Sequence, residues 1–102
     1  MKFIVIEKVR GNSIQNDTNA FAKLAGEDLK YKVKLQKEGK ILAGGPYLDI
    51  LADCYVLQTN SLEEMGEIFF NSPSNFFVER EVHALGSFED SLEGMKELSR
   101  KK

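Results

Sequence analysis

Residues 53–64, DCYVLQTNSLEE, contain the end of one predicted element and the beginning of the next. Asp53 to Thr59 are apolar on both alternating faces, which indicates a strand that is covered on both sides. Ser61 and Glu64 have the spacing of a capping box, in which the serine caps a helix and the glutamate reaches back towards it. The stretch therefore predicts a strand followed by a helix that ends by 71–73.

The residues before this junction predict two more strands and a long helix. Phe3 to Val9, FIVIEKV, are again apolar on both faces and indicate a buried strand. A helix is expected from Asp17 or Thr18 to Glu38, because Gly39 then tolerates the left-handed conformation that ends many helices. Lys40 to Tyr47 predict a strand that lies at a sheet edge or a bulge, since its proline cannot donate to a ladder.

The residues after the junction predict a fourth strand, Val78 to Leu85, and a short amphipathic helix in a C-terminal tail, 88–102. Three helical stripes are expected from the apolar spacing. The inward stripe of the first helix is Phe21, Leu24, Ala25, Leu29, Val33 and Leu35, and that of the second is Leu62, Met65, Ile68 and Phe69. The tail carries Phe88, Leu92, Met95 and Leu98 on one apolar stripe.

The order β-α-β-β-α-β is the split βαβ pattern, so we expect one α+β domain over residues 1–102 with ferredoxin-like topology. It has a four-stranded antiparallel sheet with two helices on one face, plus the short C-terminal helix. The first and third strands are central in this topology and apolar on both faces, so the second face needs a cover. An identical sheet from a second copy is the economical cover, which predicts a homodimer or a higher homo-oligomer.

Composition argues against several classes of function. The net charge of −2 and the pI of about 5.4 lack the basic balance of a nucleic-acid binder, and the third strand lacks the aromatic run of an RNA-recognition motif. With one cysteine, Cys54, and one histidine, His83, neither a disulfide nor a Cys/His zinc cluster forms within one chain. Apolar runs are too short for a signal peptide or a membrane span, so the cytoplasm is the expected location, without a membrane partner or a cofactor.

The basic run on the first helix has two interpretations. An anion-attracting face is one, but a solvated helix side is favoured because glutamate and aspartate are interleaved with the lysines. Its members are Lys30, Lys32, Lys34, Lys37 and Lys40.

Two short segments resemble known families. Residues 39–49, GKILAGGPYLD, resemble the G-k-l-l-a-a-G-P-l-x-D segment of YCII-related proteins, and 61–64, 72–73 and 82–88 look like segments of muconolactone isomerase-like proteins. The resemblance covers mainly residues 39–88 and implies a dimeric α/β barrel with a small-molecule pocket between the sheet and its covering elements. Asp49 matches a functional aspartate of YCII-related proteins, although no histidine stands in the first helix region to pair with it.

Three residues are candidate acid or base groups. Asp49 follows a strand-ending Gly-Gly-Pro and is either a general base or a turn aspartate that bonds nearby backbone. His83 is either a proton shuttle or a half-exposed residue on an edge strand. Glu7 interrupts an apolar strand, so it is a base with a raised pKa, a carboxylate paired with Arg80 or Lys8, or a residue at the exposed end of the strand.

Tyr47, Tyr55 and Arg80 are the candidate ligand-binding residues, although aromatic residues on strands more often pack in the core. Together the candidates predict a small-molecule-binding protein. Its enzymatic form would be a cofactor-independent isomerase, or a related proton-transfer enzyme, acting on a small lactone-like or polar metabolite. The alternative is a non-catalytic ligand-binding or assembly module with the same barrel, which a pocket without convergent ionisable groups would favour.

Overall fold

The chain folds as a four-stranded sheet with three α-helices, in a computed structural model that describes residues 1–11 and 18–100. The strands are β1 (Lys2–Val9), β2 (Ile41–Pro46), β3 (Ala52–Gln58) and β4 (Val78–Leu85), and the helices are α1 (Thr18–Lys37), α2 (Leu62–Phe70) and α3 (Phe88–Arg100). A 3₁₀ turn, Pro73–Phe76, joins α2 to β4. The predicted ferredoxin-like α+β fold is confirmed; Asp17, the other predicted start of α1, lies outside the described residues.

The sheet is antiparallel with strand order β2-β3-β1-β4, so the two doubly apolar strands are central as predicted. β2 is an edge strand, which confirms the predicted edge position. Its register shift relative to β3 lies between Ile41 and Ala43, at the start of the strand and not at Pro46. Gly44 has φ +133°, and a Cβ there would lie 2.3 Å from the Cys54 carbonyl oxygen. Only glycine fits at this point of β2.

The core lies between one face of the sheet and helices α1 and α2. Alternate residues of the central strands point into it, and α1 and α2 each contribute a buried aliphatic side chain. Its buried members are Phe3, Val5, Leu35, Ile41, Tyr55, Leu57 and Ile68, with Tyr31, Met65, Phe69 and Val82 packed against them. The Tyr31 hydroxyl donates to the Ile68 carbonyl at 2.8 Å, which ties α1 to α2.

The predicted inward stripe of α1 is partly wrong. Leu29 and Val33 are 49% and 47% exposed, and Asp28, which is not in the predicted stripe, is buried; Leu35 is buried as predicted. Compared with the predicted orientation, α1 is rotated about its axis so that Asp28 and Lys32 face the sheet. The ion pairs described below compensate the burial of these charges. On α2, Ser61 caps the helix as predicted by accepting the Glu64 N–H at 3.1 Å. Leu62 is exposed, because the contact of α2 with the core begins one turn later, at Met65.

The second face of the sheet has no helix of its own among the described residues. Ile4, Ile6, Cys54 and Val56 point to this face and are only half-buried, since α1 and α2 pack on the other. α3 continues beyond β4 and gives the described chain a long dimension of 61 Å. Its apolar stripe is exposed along its whole length. None of the described helices has the length and apolar character needed to cross a bilayer.

Candidate functional site

Glu7 is the centre of a buried polar cluster beneath α1. Its side chain is 1% exposed and accepts four hydrogen bonds. Oε1 accepts from Lys32 Nζ at 2.7 Å and from Ser74 Oγ at 3.3 Å. Oε2 accepts from the Tyr55 hydroxyl at 2.9 Å and from Arg80 Nε at 2.8 Å. Both carboxylate oxygens are therefore saturated, and the paired alternative for Glu7 is the one observed.

The register of the strands brings the residues of this cluster together. Glu7 on β1 lies directly opposite Asp53 on β3 and Arg80 on β4, so three charged residues form one row across the sheet. The parity of β1 that buries Phe3 and Val5 also directs Glu7 towards the helices. The row is closed from above by α1 and from the side by the 3₁₀ turn.

Lys32 of α1 enters this row from above. Its ammonium bonds Glu7, Asp53 and, at 2.7 Å, Asp28 one helical turn earlier, so its three donors are all in use. Burial lowers the pKa of Lys32, but the charge of Glu7 and the hydrogen bonds to the carboxylates outweigh burial and raise the pKa above its usual value. Lys32 stays charged, and the prediction that it belongs to a solvated lysine face is wrong.

Three carboxylates of the cluster have the spacing of metal ligands. One oxygen each from Glu7, Asp28 and Asp53 lies within 4.8 Å of the others. Carboxylate oxygens are the ligands that Ca²⁺ and Mg²⁺ prefer. The Lys32 ammonium bonds all three groups, however, so it takes the position that a cation would occupy.

Asp53 differs from Glu7 in that one of its oxygens is unsatisfied. Oδ2 accepts from Lys32, while Oδ1 is buried and has no hydrogen-bond partner in the described part of the chain. Burial raises the pKa of Asp53, the charges of Glu7 and Asp28 add to the rise, and Lys32 offsets only part of it. Burial acts on Glu7 in the same direction, but Lys32 and Arg80 outweigh it and lower the pKa of Glu7. Two adjacent carboxyls with pKa values pushed apart are a common basis of acid–base assignments.

Asp53 and Lys32 also line an open cleft between α1 and the β2 edge of the sheet. The cleft has a volume of about 160 Å³, and its walls include Leu29, Val33 and Ile41. The half-exposed side chains of α1 are therefore wall residues of this cleft. A second cleft of about 180 Å³ adjoins it and is lined by Lys32 and Asp53 as well. Both charged groups thus lie where the two clefts meet.

Two hydrogen-bonded serines at the 3₁₀ turn, Ser72 and Ser74, support the cluster. Ser72 Oγ donates to Asp28 at 3.1 Å and lies 2.7 Å from Ser74 Oγ. Arg80 reaches Ser74 as well as Glu7, and its guanidinium lies 4.5 Å from the centre of the Phe69 ring. These contacts hold the cations and carboxylates in one arrangement.

The structure brings together three of the six predicted site residues, Glu7, Tyr55 and Arg80. Tyr47 lines the second cleft. Asp49 and His83 are separate from the cluster and from each other. Asp49 is exposed in the β2–β3 connection, whereas His83 lies on β4, the opposite edge strand, which is three strand spacings or about 14 Å from β2.

His83 faces the side of the sheet away from the cluster. It lies opposite Ile4, is exposed, and its Nε2 is 2.7 Å from Glu81. Within one chain, an Asp49–His83 pair does not form.

Sequence reasoning missed Asp28, Lys32, Asp53, Ser72 and Ser74. One signal was present: Asp28 and Lys32 have the i,i+4 spacing of a helix ion pair, and they continue the inward spacing of Phe21, Leu24 and Ala25. Asp53 had no such signal, because a polar residue at a strand start is ordinarily exposed. The serines precede or follow Pro73 and look like turn residues.

No family model and no curated protein sequence matches the chain. Among solved structures, it is similar to 5-chloro-2-hydroxyhydroquinone dehydrochlorinase (TftG) from Burkholderia phenoliruptrix AC1100, in complex with 2,5-dihydroxybenzoquinone. The TM-score is 0.65 over 88% of this chain and 98% of that chain, at 22% sequence identity. At this identity the likeness shows the fold alone, which is of the ferredoxin-like α+β type.

Proposed function

We propose that this protein binds a small, partly apolar molecule in the cleft beside α1 and exchanges a proton with it through Asp53. The observation that carries the proposal is the Asp53 carboxyl, which belongs to a residue of the cleft wall and whose buried Oδ1 has no hydrogen-bond partner among the described residues. An unsatisfied buried acceptor costs about 1–3 kcal/mol, so this atom needs a partner, which a bound water, a ligand or a proton can supply. The raised pKa of Asp53 makes its carboxylate a stronger base than an ordinary aspartate.

The electrostatics of the cleft suit a substrate that develops negative charge on oxygen. Lys32 holds a permanent positive charge beside Asp53, and its side chain is largely withdrawn from water. A carbonyl oxygen near this ammonium gains electrostatic stabilisation as an adjacent C–H is deprotonated, because the protein interior screens charge less than water does. A cofactor-independent isomerisation needs only a cation that stabilises the developing charge and one carboxyl that removes the proton and returns it.

The size of the cleft supports a ligand with one ring. A cavity of about 150 Å³ accommodates benzene, and this cleft is of similar volume with apolar walls from Leu29, Val33 and Ile41. Gly44 and Gly45 line the β2 side, where side chains would otherwise take up space. The 2,5-dihydroxybenzoquinone named for TftG is also a one-ring oxygenated molecule, which is compatible with a small cyclic or lactone-like ligand here.

A non-catalytic ligand-binding module is the second candidate, favoured by one observation. Glu7, the most buried carboxylate, has no oxygen left for a substrate, so most of the cluster serves to hold the fold together. In this alternative the cleft binds its ligand and Asp53 only donates or accepts a hydrogen bond.

The test compares Asp53→Asn with Asp49→Asn, which removes a carboxyl in the exposed β2–β3 connection. Ligand-observed NMR with one-ring hydroquinones and unsaturated five-membered lactones measures binding, and deuterium uptake from D₂O measures proton exchange. Asp53→Asn should reduce exchange by about 100-fold or more, the contribution of a positioned acid or base, while Asp49→Asn retains it. Binding without exchange in the wild type would support the non-catalytic module. Loss of exchange on Asp49→Asn alone would transfer the role to Asp49.

We also propose that the second face of the sheet packs against the same face of a second copy. Ile4, Ile6, Cys54 and Val56 form a contiguous half-buried apolar area on the two central strands. When two such sheets face each other about a two-fold axis, the apolar area of each copy buries that of the other. Sedimentation equilibrium should report a dimer for the wild type and a monomer for Val56→Lys, whereas a monomeric wild type would refute the arrangement.

A further inference from the structure

Helix α3 has an apolar stripe that the described part of its own chain does not cover. Phe88 is 96% exposed, and Leu92, Met95 and Leu98 are each more than half exposed. None of the residues of α3 is buried, and the described chain extends 61 Å in one direction against 27 and 22 Å in the others, so α3 stands away from the sheet. An isolated helix of 13 residues is only marginally stable in water, so we expect the stripe to have a cover.

The two halves of α3 differ in charge. Residues 88–94 contain three acidic residues and no basic one, which gives −3, whereas residues 95–100 contain two basic residues and one acidic one, which gives +1. The ion pairs printed by the described structure for Lys96 and Arg100 stay inside α3 and are exposed, so both cations can exchange these partners for an acid of another helix. Two antiparallel α3 helices would place the acidic start of each beside the basic end of the other, and their dipoles would also oppose.

The position of these charges around the helix also selects the antiparallel arrangement. With 3.6 residues per turn, Glu89, Lys96 and Arg100 lie within about 40° of one another on one flank of the stripe. The other flank carries Ser91 and Gly94 and has no charge beside the stripe. In an antiparallel pair the same flanks of the two helices meet, so Glu89 approaches the two cations of the other copy. In a parallel pair opposite flanks meet, and the charged flank would find no partner.

A membrane surface is a less suitable cover for the stripe. Helices that lie in the membrane interface are rich in lysine and arginine on the polar side, because anionic lipids attract these cations. α3 has four acidic and two basic residues, a net charge of −2, so an anionic bilayer would repel it. A second α3 helix, in contrast, supplies both an apolar stripe and the complementary charges.

We infer that α3 pairs antiparallel with α3 of another copy about a two-fold axis that crosses the stripe between Leu92 and Met95. Leu92 then packs against Met95 of the partner subunit, and Phe88 packs against Leu98 of the partner subunit. α3 is about 20 Å long and projects from the rest of the chain, so the bodies of the two copies lie at opposite ends of the helix pair. The contact uses α3 alone, so it leaves the sheet face free for the dimer proposed above and does not depend on the ligand site.

The size of this contact predicts a weak association. Each copy contributes four large apolar side chains, whereas a standard interface has about 20–30 residues a side. We therefore expect the α3 pair to form at higher protein concentration than the sheet contact, where it joins dimers into larger assemblies.

The first test is disulfide cross-linking of full-length variants that all carry Cys54→Ser. Phe88→Cys is mixed with affinity-tagged Leu98→Cys under reducing conditions, and the mixture is then oxidised. It should cross-link at least about tenfold faster than Phe88→Cys alone, because the two copies of residue 88 would lie about 15 Å apart along an antiparallel pair. The matched control pairs Leu98→Cys with Asp90→Cys, on the polar side of α3, and should also cross-link slowly. Equal rates for all three samples, or a faster reaction of Phe88→Cys with itself, would overturn the arrangement.

The second test is a charge exchange read out by sedimentation equilibrium over a range of protein concentrations. One variant reverses two acids at the start of α3 (Glu89→Lys, Glu93→Lys), and another reverses the two cations at its end (Lys96→Glu, Arg100→Glu). Each alone should weaken the α3 association by about tenfold or more, because the facing charges become alike at both ends of the pair. An equimolar mixture of the two variants should recover the wild-type dissociation constant, since their charges are then opposite at both ends. A mixture that stays dissociated would contradict the pairing.

The control for this test reverses two acids on the polar side of α3 (Asp90→Lys, Glu97→Lys). It changes the net charge as much as the Glu89→Lys, Glu93→Lys variant does, but both residues face away from the stripe. Its dissociation constant should stay within about threefold of the wild-type value. A loss as large as that of the first variant would show that net charge, and not the α3 contact, controls the association.

The α3 contact fails separately from the sheet dimer and the ligand site. A wild type that remains a dimer at every concentration would overturn the α3 contact and leave the sheet dimer intact. Association that survives Val56→Lys but is lost in the Glu89→Lys, Glu93→Lys variant would support the α3 contact whether or not the sheets pair. Wild-type protein that binds vesicles of phosphatidylcholine and phosphatidylserine and does not associate through α3 would show that a bilayer covers the stripe, which would overturn the inference.

Discussion

Replacing Lys32 with methionine tests whether its ammonium is what holds the buried cluster together. Methionine keeps the length and most of the apolar stem, so the change removes a charge with little loss of volume. Glu7, Asp28 and Asp53 would remain, each within 4.8 Å of the others. Two like charges at that separation repel by about 3.5 kcal/mol at an effective dielectric of about 20, so three charged carboxylates cannot coexist there.

The loss of stability in Lys32→Met is set by the less unfavourable of two responses: the folded protein protonates one carboxyl instead of keeping three charged carboxylates together. Asp53 takes the proton, because burial already raises its pKa and Arg80 keeps Glu7 ionised. Protonating a group with an ordinary pKa of about 4 at pH 7 costs about 4 kcal/mol, in line with the roughly 3–5 kcal/mol measured when one partner of a buried pair is removed. We expect Lys32→Met to lower the free energy of unfolding by that amount at pH 7.

The pH dependence of the variant has a defined sign. Its folded state binds about one proton more than the unfolded state between pH 7 and about 5, so stability rises as the pH falls, by about 1.4 kcal/mol per pH unit. Urea unfolding followed by circular dichroism at several pH values measures both quantities. Lys23→Met, an exposed change on the same helix, should differ from the wild type by less than about 0.5 kcal/mol at each pH. A Lys32→Met protein as stable as this control, or one without the rise at lower pH, would refute the reasoning.

Three other features of the structure can be tested by substitution. Gly44→Ala should lower the free energy of unfolding by more than about 3 kcal/mol in urea, because the new Cβ would meet the Cys54 carbonyl oxygen. Gly45→Ala is the control, since a Cβ there has open space, and it should cost about 1 kcal/mol or less. Similar losses for the two variants would contradict the backbone conformation assigned to Gly44. The pKa values of Tyr55 and Lys32 are both raised, so the folded state keeps these protons when the unfolded state releases them and stability falls as the pH rises above about 10. Tyr55→Phe should make that fall shallower, and an unchanged slope would exclude Tyr55 as a cause. Ser61→Ala should lower the free energy of unfolding by about 1 kcal/mol, because it removes the side-chain cap of α2. Thermal melts of the variant and the wild type measure the difference, and equal melting temperatures would show that the cap does not stabilise the fold.

Much of the fold is predictable because its signals are local. Alternation along Phe3–Val9, the capping box at Ser61 and the glycine after α1 each indicate an element within a few residues of its observed limits. Glu7 could be singled out because a carboxylate in an apolar strand requires a partner, whatever that partner is. Its pairing with Arg80 was also foreseen as one alternative.

The rest of the site is not predictable in this way, because its bonds join residues far apart in the chain. Lys32 lies 25 residues from Glu7 and 21 from Asp53, and no periodicity in the sequence relates them. The choice of acid–base candidates at Asp49 and His83 relied on residue type and strand ends. The order of the strands places those two at opposite edges of the sheet.

The sequence by itself determined the elements, their order and the ferredoxin-like topology, because hydrophobic periodicity and capping act over a few residues. Only the tertiary structure decided the rotation of α1, which buries Asp28 and Lys32 and leaves Leu29 and Val33 at the cleft. That choice depends on whether three carboxylates and two cations from four elements can neutralise one another in a single buried row. Burial of charge is favourable only when all of the partners are present, and their meeting is a property of the packed chain.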